Sequence, residues 1–375
     1  MPREPNAVDF WRGFALITIF IDHVPGLLYS QYTMTNYSLS DAADLFVFLA
    51  GWSMRLMADG DGRGMPTRLV MLRLFGRALE LYAAQVLITM IAIAMLALSA
   101  IQLSNPLLLE WHNASAVFND PVPTHIGLAI LTHQLGYFDI LPLYVVLMLM
   151  APFFALVDRI APLWVLPVSF AIYFVALAFQ ITLPTWPVSG TWFFDPLAWQ
   201  FTFVLGFVLA RGDRGVGAWA RRNIGWLRLI ALPIVVAAMY AAHFNHLWDP
   251  TNVPSPKLFF LLDKAYATPP RLIQFLAVVA VFSAAFPYIR RAAAAPWVGR
   301  AVMGLIDLLA MLGRNSLYVF CIGSLLSLSA QIVRYYSRGS VGSDTAVLIL
   351  GVLIMAATAW IAESRRRARK PAHAA

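Results

Sequence analysis

A chain of 375 residues that is 60% hydrophobic and only 12% charged lies outside the range of soluble domains, which run at roughly 45–50% apolar and about 25% charged. Its net charge of +8 would suit a nucleic-acid partner, but the cations sit in short stretches beside apolar segments, the pattern of the positive-inside bias in membrane proteins, and this excludes nucleic acid. The lone cysteine, Cys321, lies inside an apolar run, which excludes an internal disulfide framework and a cysteine metal site.

An apolar segment of about 20 residues crosses the hydrocarbon. Ten such segments are predicted, over residues 9–29, 41–58, 70–100, 139–158, 162–183, 195–211, 226–243, 270–288, 304–331 and 343–362. The first follows Arg3 but is not a cleaved leader. Arg12, Asp22 and His23 interrupt it and no small-residue cleavage site follows. The second and sixth are near the short limit. The stretch from His125 to Tyr137 is too short to cross and reads as an interfacial or re-entrant piece.

Alternate connections carry the positive charge. Arg55, Arg63, Arg68 and Arg73 surround the first, Arg159 sits in the next, Arg211, Arg214, Arg221 and Arg222 fill the third, and Arg290, Arg291 and Arg300 the fourth. The tail adds Arg365, Arg366, Arg367, Arg369 and Lys370, whereas residues 102–124 hold no Lys or Arg. Lys257, Lys264, Arg334 and Arg338 break the pattern. The bias places both termini in the cytoplasm and predicts an even number of spans. The expected fold is all-α: a polytopic helical bundle of about ten transmembrane helices, one domain over 1–375, embedded over 9–362, with a basic cytoplasmic tail at 363–375.

Ionisable groups inside a span are costly and mark function. Arg12 and His23 stand 11 residues apart, about 1100° of helix or roughly 20° past three turns, so they share a face some 16 Å apart along the axis. Asp22 points about 100° away from His23. The face suits a two-sided reaction: a phosphate-bearing donor meets Arg12 from the cytoplasm, and a hydroxyl acceptor meets His23, whose neutral imidazole takes a proton near pH 7. The bland alternatives are a snorkelling Arg12 and a His23 satisfied within the bundle.

Asp44, after Ser40 and Asp41, reads either as a helix start or as a carboxylate that orients the imidazole. Asp139 opens the fourth span as a cap or an acceptor contact. Trp199 and Gln200 pair an aromatic with an amide, which suits a sugar ring. Arg314, Asn315 and Ser316 open the ninth span from the cytoplasm, as a donor site or a helix cap. His243, His246 and Asp249 have a spacing that two metal ligands could share, but further ligands are not evident, and no metal is expected. There is no HExxH, phosphate-binding glycine loop or G-x-S-x-G.

Five stretches carry a resemblance: DFWRGFALITIFIDHVPG (Asp9–Gly26), SDAADLFVFLAGW (Ser40–Trp52), GYFDILPLYVVLMLMAP (Gly136–Pro152), FFDPLAWQFTFVLG (Phe193–Gly206) and LGRNSLYVF (Leu312–Phe320). The Arg-x10-His spacing in the first resembles the hallmark of the transmembrane acyltransferase-3 superfamily. Together, in this order, the five resemble the OpgC family, succinyltransferases that decorate osmoregulated periplasmic glucans. The resemblance implies a bacterial inner-membrane enzyme with succinyl-CoA or another acyl-CoA as co-substrate and no permanently bound cofactor. It implies His23 as base, Arg12 as a donor contact and a periplasmic glucan as acceptor; from their place in the chain, Asp22 and Asp44 join His23 as the catalytic candidates. A succinyl donor also needs a cation for its free carboxylate, for which Arg314 and Arg271 are the candidates. Its partners are the bilayer, acyl-CoA and the glucan, with a homo-oligomer or the glucan synthesis machinery left open. The rivals are an acetyltransferase of another surface polysaccharide, a proton-coupled transporter using Asp22, Asp44 and His23 as a relay, and a non-catalytic partner of a glucan synthase.

Overall fold

A computed structural model describes residues 4–59, 65–247, 249–293, 295 and 299–369. Arg3, Arg63, Lys370 and the rest of the tail lie outside the described residues. In chain order the helices are α1 (Ala7–Asp22), α2 (Ala42–Asp59), α3 (Thr67–Gln102), α4 (Ser115–Asn119), α5 (Pro121–Ala129), α6 (Ile140–Ile160), α7 (Val165–Phe179), α8 (Pro196–Leu209), α9 (Gly215–Arg222), α10 (Ile224–His243), α11 (Pro269–Phe282), α12 (Ala285–Ala292), α13 (Gly299–Arg314), α14 (Ser316–Ser337) and α15 (Val341–Arg369). The strands are β1 (Pro184–Thr185) and β2 (Gly190–Thr191), a two-residue antiparallel pair. The protein is an all-α polytopic membrane protein.

Among the described residues, seven helical stretches are long and apolar enough to cross a bilayer: Thr67–Gln102, Ile140–Ile160, Pro162–Phe179, Ile224–His243, Pro269–Ala292, Ser316–Ser337 and Val341–Ala368. Their outer faces are apolar. On α10, Leu229, Ile230, Leu232 and Val236 are all exposed, a surface that only a lipid solvent accommodates at this size. The predicted second span is α2, and the short sixth is α8.

Three boundaries differ from the sequence reading. The first span ends early: α1 has 16 residues, about 24 Å at 1.5 Å per residue, and the chain then turns through Pro25 and Gly26, where Gly26 takes a left-handed φ of +74°. The predicted ninth segment is two helices, α13 and α14. They part at Asn315, whose side-chain N–H donates back to the Met311 carbonyl at 2.8 Å, a local bond that competes with the helical ladder. The basic tail begins inside a helix, because α15 continues to Arg369.

The chain divides into two compact units, residues 1–37, 41–46 and 278–375 in the first and 38–40 and 47–277 in the second. Each is held by helices that meet backbone to backbone. In the first unit a Cβ on Gly13 would overlap the Leu309 carbonyl, and one on Gly313 would overlap the Asp9 carbonyl. These reciprocal contacts run α1 and α13 antiparallel. In the second unit Gly51 lies against the Phe203 carbonyl and Gly206 against the Phe48 carbonyl, so α2 and α8 repeat the device. Lipid supplies no hydrophobic drive between helices, so small residues that permit close approach carry the packing.

Candidate active site

In the first unit the site is built on α1. Asn6 caps the helix by accepting the Asp9 N–H at 2.9 Å, and Gly13 locks it to α13. Arg12 is half-buried one residue before that contact. His23 is the C-cap of α1, its own N–H still bonded to the Ile19 carbonyl at 3.0 Å. It therefore stands where the helix ends, not within its interior.

A helix C-terminus leaves carbonyls without intrahelical partners, and α14 supplies them. Ser327 Oγ donates to the Phe20 carbonyl at 3.1 Å, and Gln331 Nε2 donates to the His23 carbonyl at 2.6 Å. Beyond His23, the Pro25–Leu28 turn is clamped from the same side. Arg334 donates to Asp344 at 3.0 Å and to the Pro25 carbonyl at 3.4 Å, while Asp344 accepts the Leu28 N–H at 2.9 Å. Arg334 broke the charge pattern in the sequence, and its pairing with the nearly buried Asp344 is the physical reason. Gln331, Ser327 and Asp344 were missed because their partners lie more than 300 residues away in sequence.

Asp22 accepts a hydrogen bond from Thr35 Oγ1 at 2.7 Å. Asp44 is 1% exposed and accepts the Asp41 N–H at 2.9 Å, while Asp41 accepts the Ala43 N–H at 2.8 Å. The helix-start reading of Asp44 is thus realised as a reciprocal cap. Arg314 Nε donates to Glu363 of α15 at 2.7 Å, while its buried Nη1 and the Oδ1 of Asn315 have no hydrogen-bond partner. Ser316 begins α14 next to them. The break between α13 and α14 therefore offers one buried donor and one buried acceptor.

In the second unit Asp139 precedes α6 and caps none of its N–H groups. Burial pushes its carboxyl up to about 6, with Lys264 acting in the opposite direction. The Lys264 ammonium lies 5.5 and 5.2 Å from the Phe193 and Phe194 ring centres. Trp199 is fully buried, its ring edge-on to Phe194 at 5.0 Å, and its indole N–H goes to the Lys264 and Ala265 carbonyls at 3.0 and 3.1 Å. Gln200 accepts from Ser169 Oγ at 2.6 Å and donates to the Ser169 carbonyl at 2.8 Å. Both side chains are engaged inside the packing. Arg271 donates to the Leu39 carbonyl at 3.0 Å.

His133 went unnoticed in the sequence. It is buried beside the Asn113 carbonyl at 3.2 Å, and burial lowers its pKa. The same loops hold His112, Asn113, Leu131 and Tyr137 at positive φ, with the His112 and Tyr137 rings 5.2 Å apart. Left-handed non-glycine residues cost about 1–3 kcal/mol each and gather at functional sites. Asp249, considered as a metal ligand, instead accepts from Thr251 N–H and Oγ1, each at 2.8 Å. These bonds hold its carboxyl below the ordinary value.

No curated protein and no solved structure matches this chain. A family model described as OpgC protein matches residues 3–367, nearly the whole chain. Membership in it suggests an OpgC-type acyltransferase for periplasmic glucans. The chain belongs to the OpgC protein family.

Proposed function

We propose that this protein is a bacterial inner-membrane O-acyltransferase that moves a succinyl or similar short acyl group from cytoplasmic acyl-CoA to hydroxyls of a periplasmic glucan. The family match over residues 3–367 carries this reading. The charged and polar residues of α1 and of the α13–α14 break give the reaction its parts. Placement in the acyltransferase-3 superfamily rests on the Arg12–His23 spacing and belongs to the same proposal.

His23 is the general base. It takes the hydroxyl proton as the sugar oxygen attacks the thioester carbonyl. The carbon–sulfur bond breaks, and the proton passes to the departing thiolate of coenzyme A. A hydroxyl is a poor nucleophile, so positioning and proton removal share the work. Asp22, tied to Thr35, and Asp44, fixed at the start of α2, complete the catalytic group and orient the imidazole. Arg12 contacts the donor, and Arg314, Asn315 and Ser316 offer it the donor and acceptor atoms exposed by the helix break. Arg314 or Arg271 takes the succinyl carboxylate. Asp139 contacts the acceptor, with Trp199 and Gln200 as the rigid wall behind it. No cofactor is held between turnovers.

The test is transfer of labelled acyl groups by purified protein in nanodiscs to a β-glucan. Product from succinyl-CoA supports the reading. Product from acetyl-CoA alone keeps the enzyme class and replaces the donor. Neither product nor binding with any acyl-CoA moves the assignment to a transporter in which Asp22, Asp44 and His23 relay protons.

A further inference from the structure

The second unit contains a cavity of about 520 Å³ lined by four arginines, Arg55, Arg159, Arg211 and Arg214, and by two aspartates, Asp59 and Asp158. Its volume falls within the range of small-molecule sites, about 300–1,000 Å³. None of these residues belongs to the base or donor constellation described above.

The wall is preorganised. Arg55 is 2% exposed and meets Asp158 through two parallel bonds of 2.7 and 2.8 Å. Arg211 meets the same carboxylate at 3.2 and 3.0 Å. One buried negative charge thus serves two fixed positive ones. Arg55 is held further by the Phe207 carbonyl at 3.2 Å and by the Phe207 ring, 3.7 Å below its guanidinium. Asp59, half-exposed, approaches Arg55 only at 3.4 Å. Arg159 is fixed by donating to the Met65 carbonyl and Thr67 Oγ1, and Arg214 stands exposed at the rim. The lining holds four arginines against two aspartates, and Asp213 at the rim approaches Arg211 at 3.9 Å and Arg214 at 3.7 Å, which leaves a surplus of one positive charge.

Guanidiniums gathered in excess of the carboxylates around them repel one another unless an anion completes the cluster. Planar guanidiniums held in fixed orientations match phosphate oxygens through paired bonds. We propose that this cavity is a seat for a phosphate or pyrophosphate group. Resting on the acyltransferase reading, that group is the phosphate-bearing part of the acyl-CoA donor. The loops that supply it carry the basic residues of the proposed cytoplasmic side, where such a donor arrives.

The experiment uses the full chain in phosphatidylcholine nanodiscs with radiolabelled coenzyme A, which carries no acyl group, so that binding is read apart from transfer. Wild type should bind it, with inorganic pyrophosphate as a competitor. Arg211→Gln should weaken binding about tenfold, the size of one lost charge-assisted bond. Arg214→Gln, a rim change that leaves the buried pairs intact, should weaken it less and flatten its salt dependence. Asp59→Asn removes a negative charge and should tighten binding, an outcome that misfolding does not mimic. If phosphatidylglycerol added to the nanodisc displaces pyrophosphate and coenzyme A does not, the seat stands and its occupant is a lipid headgroup. Equal binding by wild type and all three variants, or no binding of any phosphate compound, overturns the proposal. Binding that follows these variants without any acyl transfer sinks the acyltransferase reading and leaves the seat. Transfer at wild-type rates in Arg211→Gln does the reverse.

Discussion

Gln331 holds the His23 carbonyl at 2.6 Å and so fixes where the imidazole starts. Under the proposed mechanism it is a positioning residue. Gln331→Leu strands that carbonyl at a helix end, at a cost of about 1–3 kcal/mol. The expected result is a fall in kcat of about tenfold or more with little change in KM for the acyl donor, and partial recovery with Gln331→Asn; a KM effect alone would show that the bond serves binding. Asp139 gives a pH signature. Its carboxyl is raised by burial from 3.8 to about 6. Between those values the unfolded chain has released a proton that the folded chain keeps, so this group removes stability as pH rises through the window and no more above it. Asp139→Asn lacks the loss. The difference in Tm, variant minus wild type, should therefore grow from about pH 4 to about pH 6 and then level off, which thermal scans across pH check. Individual residues were only partly legible in the sequence. Asp44 was readable as a helix start because its bond is local. Gln331, Asp344 and His133 were not, because an amide, a carboxylate or an imidazole far from its partner carries no local signal.

At the scale of elements, the glycine contacts decide which helices touch. A side chain at Gly13 or Gly206 meets a backbone carbonyl of the neighbouring helix, and backbone cannot step aside as a flexible side chain can. Gly13→Leu and Gly206→Leu should each lower stability by about 3 kcal/mol or more, at the upper end of overpacking. Gly76, inside α3 with open space where its Cβ would stand, is the control. Gly76→Ala should be neutral or stabilise by up to about 1 kcal/mol through helix propensity. Thermal unfolding in one detergent ranks the three. The long spans were legible because 20-residue apolar runs are their own signal. The polar residues Arg314, Asn315 and Ser316 were legible as a cap, but the apolar runs on both sides hid that two separate helices meet there, and the end of α1 was hidden because Val24 and Leu27 remain apolar and buried past the helix.

For the whole molecule, the charge pattern orders the connections, and two of the four exceptions have partners. Arg334 is bound to Asp344, and Lys264 lies among Phe193, Phe194 and Asp139. The predicted orientation is directly readable by labelling. With Cys321 replaced by serine, Asn119→Cys should react with an impermeant maleimide from the periplasmic side of intact cells, and Arg222→Cys only after the membrane is opened. The reverse pattern would invert the topology and place His23 on the wrong side for a periplasmic acceptor. The reaction class became legible from motif order along the chain. The arginine cavity did not, because Arg55, Asp158 and Arg211 converge from separate helices and a flanking loop, and in the sequence each looks like an ordinary loop charge.

The central claim is that His23 removes the acceptor proton. The most direct measurement is the rate of succinyl transfer from succinyl-CoA to a β-glucan by wild type and His23→Ala, with coenzyme A binding and Tm recorded on the same preparations. The account predicts that transfer falls by about 10²–10⁴-fold, the usual worth of a general base, while donor binding and Tm stay close to wild type. A His23→Ala protein that folds, binds the donor and transfers at the wild-type rate would contradict it.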